Sequence, residues 1–368
     1  MPLPNASGRP TRVDAGVGAS GYRRCVSEIL DEAYARLHPT GPEWGDELSN
    51  HGPMAVEVLV RRGHADLVPR WVDRYLNRLD ELPAPTGVIT DWQDALGDFS
   101  RLGDWVGYFH NETQERPWRD VLATWWPRLL PGIAAGATHS VIRVSHALRV
   151  LLAGDESPQA VAELVHGLAW WAARSTVIPN TAEPRGGLAT KAAFDAVPRI
   201  PSQDGQLANR FGQLAELHSF PSALAALKPA DTPEEARRRL TELVDAATLT
   251  YLTHGHGSPI LLVHTATAPN AVLHALPALP EEQWAPSLTA AWAASAALIA
   301  TYAPREAAPR EVLPDAPESA AAVLDRAAEN GDEHVIKFTD TAAEVHARTG
   351  DPDALAAAAR IQEFIRPR

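Results

Sequence analysis

The chain has 368 residues, 45% of them apolar, which is enough for one large or two ordinary globular domains. A formal net charge of −13, with no block of consecutive Lys or Arg, argues against nucleic acid as a partner, because neutralising phosphates takes clustered cations. The lone Cys25 excludes an intramolecular disulfide and a cysteine-held zinc or iron–sulfur centre; a reducing, cytoplasmic location is expected, and any metal must be held by nitrogen and oxygen.

Residues 1–20 are rich in Pro, Gly, Ser and Ala and lack the apolar run of a secretory signal, so a flexible N-terminal tail is expected. No stretch approaches the roughly 20 consecutive apolar residues that span a bilayer, and no membrane partner is expected. From Tyr22 on, apolar residues recur at three- and four-residue spacing, as in Val26, Ile29, Leu30, Ala33 and Leu37, while strand-like alternation is scarce. This pattern predicts helices over 22–37, 53–61, 65–79, 92–96, 102–115, 118–130, 136–152 and 158–174. A second series follows over 209–227, 233–253, 259–276, 288–302, 316–329, 334–349 and 352–364. Many open on proline or on an Asp, Ser or Thr cap, as in Thr232-Pro233-Glu234-Glu235.

The polar stretch 180–206 keeps Leu188, Phe194, Val197 and Ile200, and is expected to be an ordered loop inside one domain, residues 21–368. With no fixed-period repeat, the fold class is all-α, a large irregular multi-helix bundle rather than a solenoid. The eleven tryptophans would serve mostly as core, some as walls around an aromatic ligand.

Four separated histidines carry the functional signal, because neutral imidazole is the commonest protein ligand for a mid-row transition metal. His51 precedes Gly52-Pro53 at a helix start, where the positive dipole end favours neutral imidazole; its alternative role is a cap or turn residue. His139 sits in the first turn of a predicted helix, and His146, seven residues on, returns to nearly the same face with Ile142 between them. Either could bind metal with the other behind it, or His146 could be a satisfied core histidine. His254-Gly255-His256-Gly257 reads as a helix terminus whose histidines are structural or pocket-lining.

His264 lies in an apolar helix opened by Pro259 and interrupted by Pro269, with Thr265 and Thr267 available to bond freed carbonyls. A lone histidine on such a face is more often core than ligand. His334 and Lys337 share a helix face with Thr341 one turn on. A neutral lysine amine reacts with carbon dioxide to give a carbamate, which offers a metal two oxygens, and burial favours this by lowering the lysine pKa. The alternative is an exposed Glu333–Lys337 pair at helical spacing. No nucleophile elbow, dinucleotide-binding turn or His-Glu-x-x-His motif occurs.

Taken in order, Asn50-His51, Ala137-Thr138-His139-Ser140-Val141-Ile142, Gly167-Leu168-Ala169-Trp170-Trp171-Ala172-Ala173-Arg174 and Asp332-Glu333-His334-Val335-Ile336-Lys337 resemble the questin oxidase-like family. The resemblance implies an α-helical oxygenase of anthraquinones or related aromatic polyketides, working by Baeyer–Villiger-like insertion or by dioxygenation. It further implies non-heme Fe(II) held by four histidines and a carboxylated lysine, here His51, His139, His264, His334 and Lys337. His146, Arg143, Thr341, His254 and His256 are left as candidates for the surrounding shell and pocket. The chain departs from the family pattern at Met54, Ala55 and Arg143, where further histidines are usual.

Five protein ligands would leave an octahedral ion one position for dioxygen, with the small aromatic substrate beside it. Electrons would come from reduced substrate or from NADPH through a reductase. A metal-free oxygenase using the histidines as general bases is one alternative, and a non-catalytic helical binding protein for an aromatic metabolite is another. The oligomeric state is not set by the sequence.

Overall fold

A computed structural model of the chain describes residues 19–45, 48–204 and 207–367. Among these it contains seventeen α-helices and one short hairpin. The N-terminal half holds α1 (Ala19–Leu37), α2 (Gly52–Arg61), α3 (Val68–Leu76), α4 (Trp92–Ala95), α5 (Leu102–Glu115), α6 (Trp118–Leu129), α7 (His139–Leu152) and α8 (Pro158–Ala173). After a long connection come α9 (Thr190–Asp195), α10 (Leu207–Gly212), α11 (Ser219–Ala226), α12 (Pro233–His254) and α13 (His264–Ala275). The chain closes with α14 (Trp284–Tyr302), α15 (Ala320–Asn330), α16 (Glu333–Thr349) and α17 (Pro352–Phe364). The hairpin pairs β1 (Glu43–Trp44) with β2 (Leu48–Ser49), Glu43 opposite Ser49. The fold is an all-α single-domain bundle, as the periodicity predicts.

Helix starts follow local chemistry. Ser157 and Thr232 accept hydrogen bonds from the backbone N–H of Ala160 and Glu235, each at 3.2 Å, and each cap is followed by proline in the first turn. Departures from the predicted spans have equally local causes. Helix α1 begins at Ala19, so the last two residues of the expected tail are helical; residues 1–18 lie outside the described residues. The span 209–227 is broken, because Pro221 fits only the first turn of a new helix, α11. The expected loop 180–206 contains α9, which buries Phe194 against Trp292.

The span 259–276 is helical only from His264, and the interruption expected at Pro269 does not occur, since α13 runs through it. Proline lacks the N–H that would bond the Thr265 carbonyl, and Ser295 of α14 donates its hydroxyl to that carbonyl instead, at 2.9 Å. The carbonyl that Pro269 leaves unbonded thus becomes a point where α13 is fastened to α14.

Helices α7, α13, α14 and α16 are buried along most of their length and form the centre. Around them Trp105, Trp125, Trp126, Trp170, Trp171 and Trp292 are fully buried, so large flat side chains fill the gaps between irregularly crossed helices. Gly167 sets the closest approach of α8 to α7: a Cβ there would lie 3.2 Å from the backbone nitrogen of Val144. No helix among the described residues is long and apolar enough to cross a membrane.

Candidate metal centre

Each of the four histidines stands at the start of a helix: His51 caps α2, His139 and His264 are the first residues of α7 and α13, and His334 is the second of α16. The four helix starts meet. His51 Nε2 lies 2.7 Å from His139 Nε2, and His264 Nε2 lies 2.8 Å from the same atom. The His334 ring packs edge-on against His51 with centroids 4.4 Å apart, and ligand atoms of His51, His139 and His334 all lie within 4.8 Å of one another. All four rings are buried.

Two of the other ring nitrogens are held from behind and two face carboxylates. His139 Nδ1 donates to the Gly136 carbonyl and His264 Nδ1 to the Leu261 carbonyl, the latter at 3.1 Å. Glu333 Oε1 faces His51 Nδ1 at 3.5 Å, and Asp332 Oδ1 faces His334 Nδ1 at 3.4 Å. The carbonyls behind Nδ1 of His139 and His264 place the proton there and leave Nε2 as a lone pair, the form that binds metals, whereas Nδ1 of His51 and of His334 makes no hydrogen bond among the described residues. The backbone N–H of His51 donates to Tyr75 Oη at 2.7 Å, while Asn50 Oδ1 accepts from Gly52, fixing this helix start.

This arrangement fits a cation. With Nδ1 protonated in both His139 and His264, their Nε2 lone pairs oppose each other, so the 2.8 Å contact is not a hydrogen bond. His139 Nε2 has one in-plane lone pair and cannot accept from both neighbours. Burial, reinforced by Lys337 and the neighbouring imidazoles, holds His51, His139 and His264 well below the usual histidine pKa, which disfavours a shared proton at neutral pH. Two ligands at right angles on a metal with N–metal bonds of about 2.1 Å stand about 3 Å apart, close to the separations seen here. The buried His51–His139–His334 group could therefore bind a metal ion.

A strained turn positions His139. Gly136, Ala137 and Thr138 have φ of +54°, +53° and +74°, three left-handed residues in succession. The His139 N–H closes the turn on the Gly136 carbonyl at 3.1 Å, so that one oxygen receives both the backbone and the ring N–H of His139. Left-handed conformation costs Ala and Thr about 1–2 kcal/mol each, and such strain persists where surroundings enforce it. Trp170 packs against the start of this turn: its ring would lie 2.8 Å from a Cβ added to Gly136, and its indole N–H donates to Glu43 at 2.9 Å.

Lys337, one turn after His334, is buried, and its Nζ has Met54 Sδ as a neighbour at 3.9 Å. Burial lowers its pKa to about 7, against the opposing pull of Glu333 and Asp332, so an appreciable fraction is neutral amine at physiological pH. The exposed Glu333–Lys337 pair weighed from helical spacing is absent; both residues are buried, and Glu333 turns to His51. Lys337 also lines a polar cavity of about 10 Å³ with His146, Asn270, His274, Asp340 and Thr341, space for one water.

The remaining candidates are not in the imidazole cluster. His146 Nδ1 bonds Glu57 at 2.7 Å, a carboxylate that also takes Arg149. Arg143 forms a two-pronged pair with Glu163 at 2.6 and 2.8 Å and is half of a buried ion pair. Thr341 bonds the Lys337 carbonyl at 3.3 Å. His254 bonds Thr253 at 2.8 Å with Arg199, His256 and Asp195 as its charged neighbours. Sequence reasoning missed Tyr75, Gly136 and the orienting roles of Asp332 and Glu333; the last two stood inside a quoted motif, whereas nothing marked Tyr75.

Comparison with known proteins gives one match. The model of a family described as Questin oxidase-like matches residues 72–341, a range that includes His139, His264, His334 and Lys337 and begins after His51. No curated protein and no solved structure matches the chain.

Proposed function

The chain belongs to the Questin oxidase-like family, and from that premise we propose that it is a non-heme iron oxygenase of an anthraquinone-type polyketide. The family points to an oxidoreductase that takes a small aromatic substrate and oxygen. The finer reading is that Fe(II) is held by His51, His139, His264 and His334, with Lys337 joining as its carbamate. One observation carries it: Nε2 of His51 and of His264 each lies within 2.8 Å of His139 Nε2, while Nδ1 of His139 and of His264 donates outward to a carbonyl. Iron bound there would supply the activation of dioxygen that a closed-shell aromatic substrate needs.

The chain's own residues set the conditions. Four helix N-termini direct positive dipole ends at one point, which disfavours a bare cation and favours one accompanied by an anion. A Lys337 carbamate would provide that anion, and a phenolate substrate could add another. Glu333 and Asp332 stand 3.5 and 3.4 Å from Nδ1 of His51 and His334 and partly offset the positive ends. Burial keeps water from the centre, while Trp170 stacks near the His139 ring at 6.3 Å and limits its motion.

Metal analysis of protein purified without chelator, with oxygen uptake on an anthrahydroquinone, tests the proposal. His334→Ala and Lys337→Ala are each expected to lose iron and oxygen uptake; full iron and activity in both would defeat the assignment. Partial rescue of Lys337→Ala by small carboxylates is expected if the carbamate is the fifth ligand. Activity surviving rigorous chelation would instead make the histidines general bases in a metal-free reaction.

A further inference from the structure

We propose that five of the eleven tryptophans form a path that carries oxidising equivalents from the metal centre to the surface; this rests on the iron reading above. The path starts on a candidate ligand, since the Trp170 ring stacks on His139 with centroids 6.3 Å apart. Trp171 follows Trp170 in α8 and meets Trp126 of α6 edge-on at 5.2 Å. Trp125, the covalent neighbour of Trp126, meets Trp92 of α4 at 5.4 Å. Consecutive residues have Cα atoms about 3.8 Å apart, so every step, through space or along a helix, is short enough for an electron to tunnel. Trp170, Trp171, Trp126 and Trp125 are fully buried, whereas Trp92 is half-buried and reaches solvent.

Hydrogen bonds and charges give the path a direction that packing alone does not require. The Trp170 N–H donates at 2.9 Å to Glu43, a carboxylate shared with Arg174, so the member beside the centre has an anionic acceptor for its oxidised form. Further out the N–H groups meet neutral acceptors, the Gly132 carbonyl for Trp171 at 3.1 Å and the Ser287 hydroxyl for Trp126 at 2.9 Å. Buried Trp125 Nε1 has no acceptor among the described residues, and the Arg128 guanidinium lies over Trp125 and Trp92, at 4.8 and 5.0 Å, where it opposes a positively charged ring. The oxidised form therefore comes to rest where its N–H proton can pass to water, at Trp92. Trp170 gives one electron to the centre and is refilled in turn from Trp171, Trp126, Trp125 and Trp92. The neutral Trp92 radical regains one electron and one proton from a soluble thiol, which becomes a thiyl radical. This matters when oxygen is activated with no substrate present, because the groups otherwise at risk are the imidazoles and the Met54 thioether, 3.9 Å from Lys337 Nζ.

Hydrogen peroxide added to the iron-loaded, full-length protein without substrate tests this. Peptide mass spectrometry reads indole oxidation, and electron paramagnetic resonance reads the radical. Oxygen addition at Trp92 is expected, together with a neutral tryptophan radical that Trp92→Phe abolishes. Trp126→Phe and Trp171→Phe should each keep iron, drop Trp92 oxidation to the level of metal-free protein and raise oxidation at Trp170. Trp105→Phe removes the same volume beside Trp125, 5.5 Å away but off the path, and should leave Trp92 oxidation unchanged. A purely structural role would treat these buried replacements alike. Trp92 stands at the edge of the core, so Trp92→Phe decides the matter where the buried variants do not fold. Equal Trp92 oxidation with and without iron, persistence of that oxidation in iron-loaded Trp126→Phe, or a radical that survives Trp92→Phe would overturn the path and leave the iron reading standing. Protein that takes up no iron would overturn both.

Discussion

At the scale of single residues, the centre is built from groups whose ordinary protonation has been suppressed. Lys337 shows the consequence most directly. Its folded pKa of about 7 lies below its ordinary value of 10.5, so between these the unfolded chain binds a proton that the folded chain does not. Stability of the metal-free protein should therefore rise as pH increases from about 7 towards 10, by up to a few kcal/mol. Lys337→Met should remove that rise. Urea unfolding of both proteins across this range checks it, and parallel slopes would mean that Lys337 is protonated in the fold. Glu333 offers a second residue-scale test. Glu333→Gln keeps the shape but weakens the acceptor behind His51, and a loss of roughly 10- to 100-fold in iron affinity is expected from removing such a partner. Competition with a chelator measures it.

At the scale of elements, the recurring device is a helix that begins at its functional histidine. Part of this was legible in the sequence. His51 before Gly52-Pro53 and His139 after a Gly-containing stretch both mark helix starts by local composition, and Asp332 before Glu333-His334 is a capping pattern. His264 was placed five residues inside its helix, because Pro259 resembles a first-turn proline whereas the turn at 259–263 does not join α13. What turns four starts into one site is tertiary: the packing of α2, α7, α13 and α16 depends on which buried surfaces match, and periodicity reports only that a face is apolar. The left-handed turn at 136–138 was illegible for a related reason, since Ala137 and Thr138 have no local preference for positive φ and tertiary surroundings hold them there. Gly136→Ala should force the Trp170 ring away, costing roughly 1–3 kcal/mol of stability, and displace the carbonyl that orients His139. Thermal melting should show the first effect and iron content the second. Unchanged iron in a destabilised protein would separate the turn from the metal.

At the scale of the molecule, the same helices carry a second polar layer. Six or seven residues after each histidine stands Glu57 on α2, His146 on α7, Asn270 on α13 and Asp340 on α16, roughly 9–10 Å further along each axis. Asp340 takes Arg62 at 2.6 Å and Arg149 at 3.1 Å, with Arg61 also on its carboxylate, and Arg149 reaches Glu57 at 2.6 Å. Lys337 lies between the imidazole layer and this ionic one. Two layers at fixed spacing resist rotation or sliding of any one helix, which would break contacts in both, so the ionic layer keeps the histidines in register.

Asp340→Asn tests that coupling. Removing the shared carboxylate leaves Arg149, Arg61 and Arg62 underpaired, and because these guanidiniums reach solvent in part, a loss of roughly 1–3 kcal/mol at neutral pH is expected. The arginines hold Asp340 far below the usual carboxylate range and Glu57 at about 2, so their stabilisation is present above the ordinary carboxylate pKa and is lost as pH falls through the folded values. The gap between wild type and Asp340→Asn should therefore stay constant down to about pH 4 and narrow below it. Iron affinity of the variant at neutral pH carries the decisive information: if the ionic layer sets the register of the histidines, affinity falls with stability, whereas native affinity in a destabilised protein would show that the imidazole layer holds its own geometry.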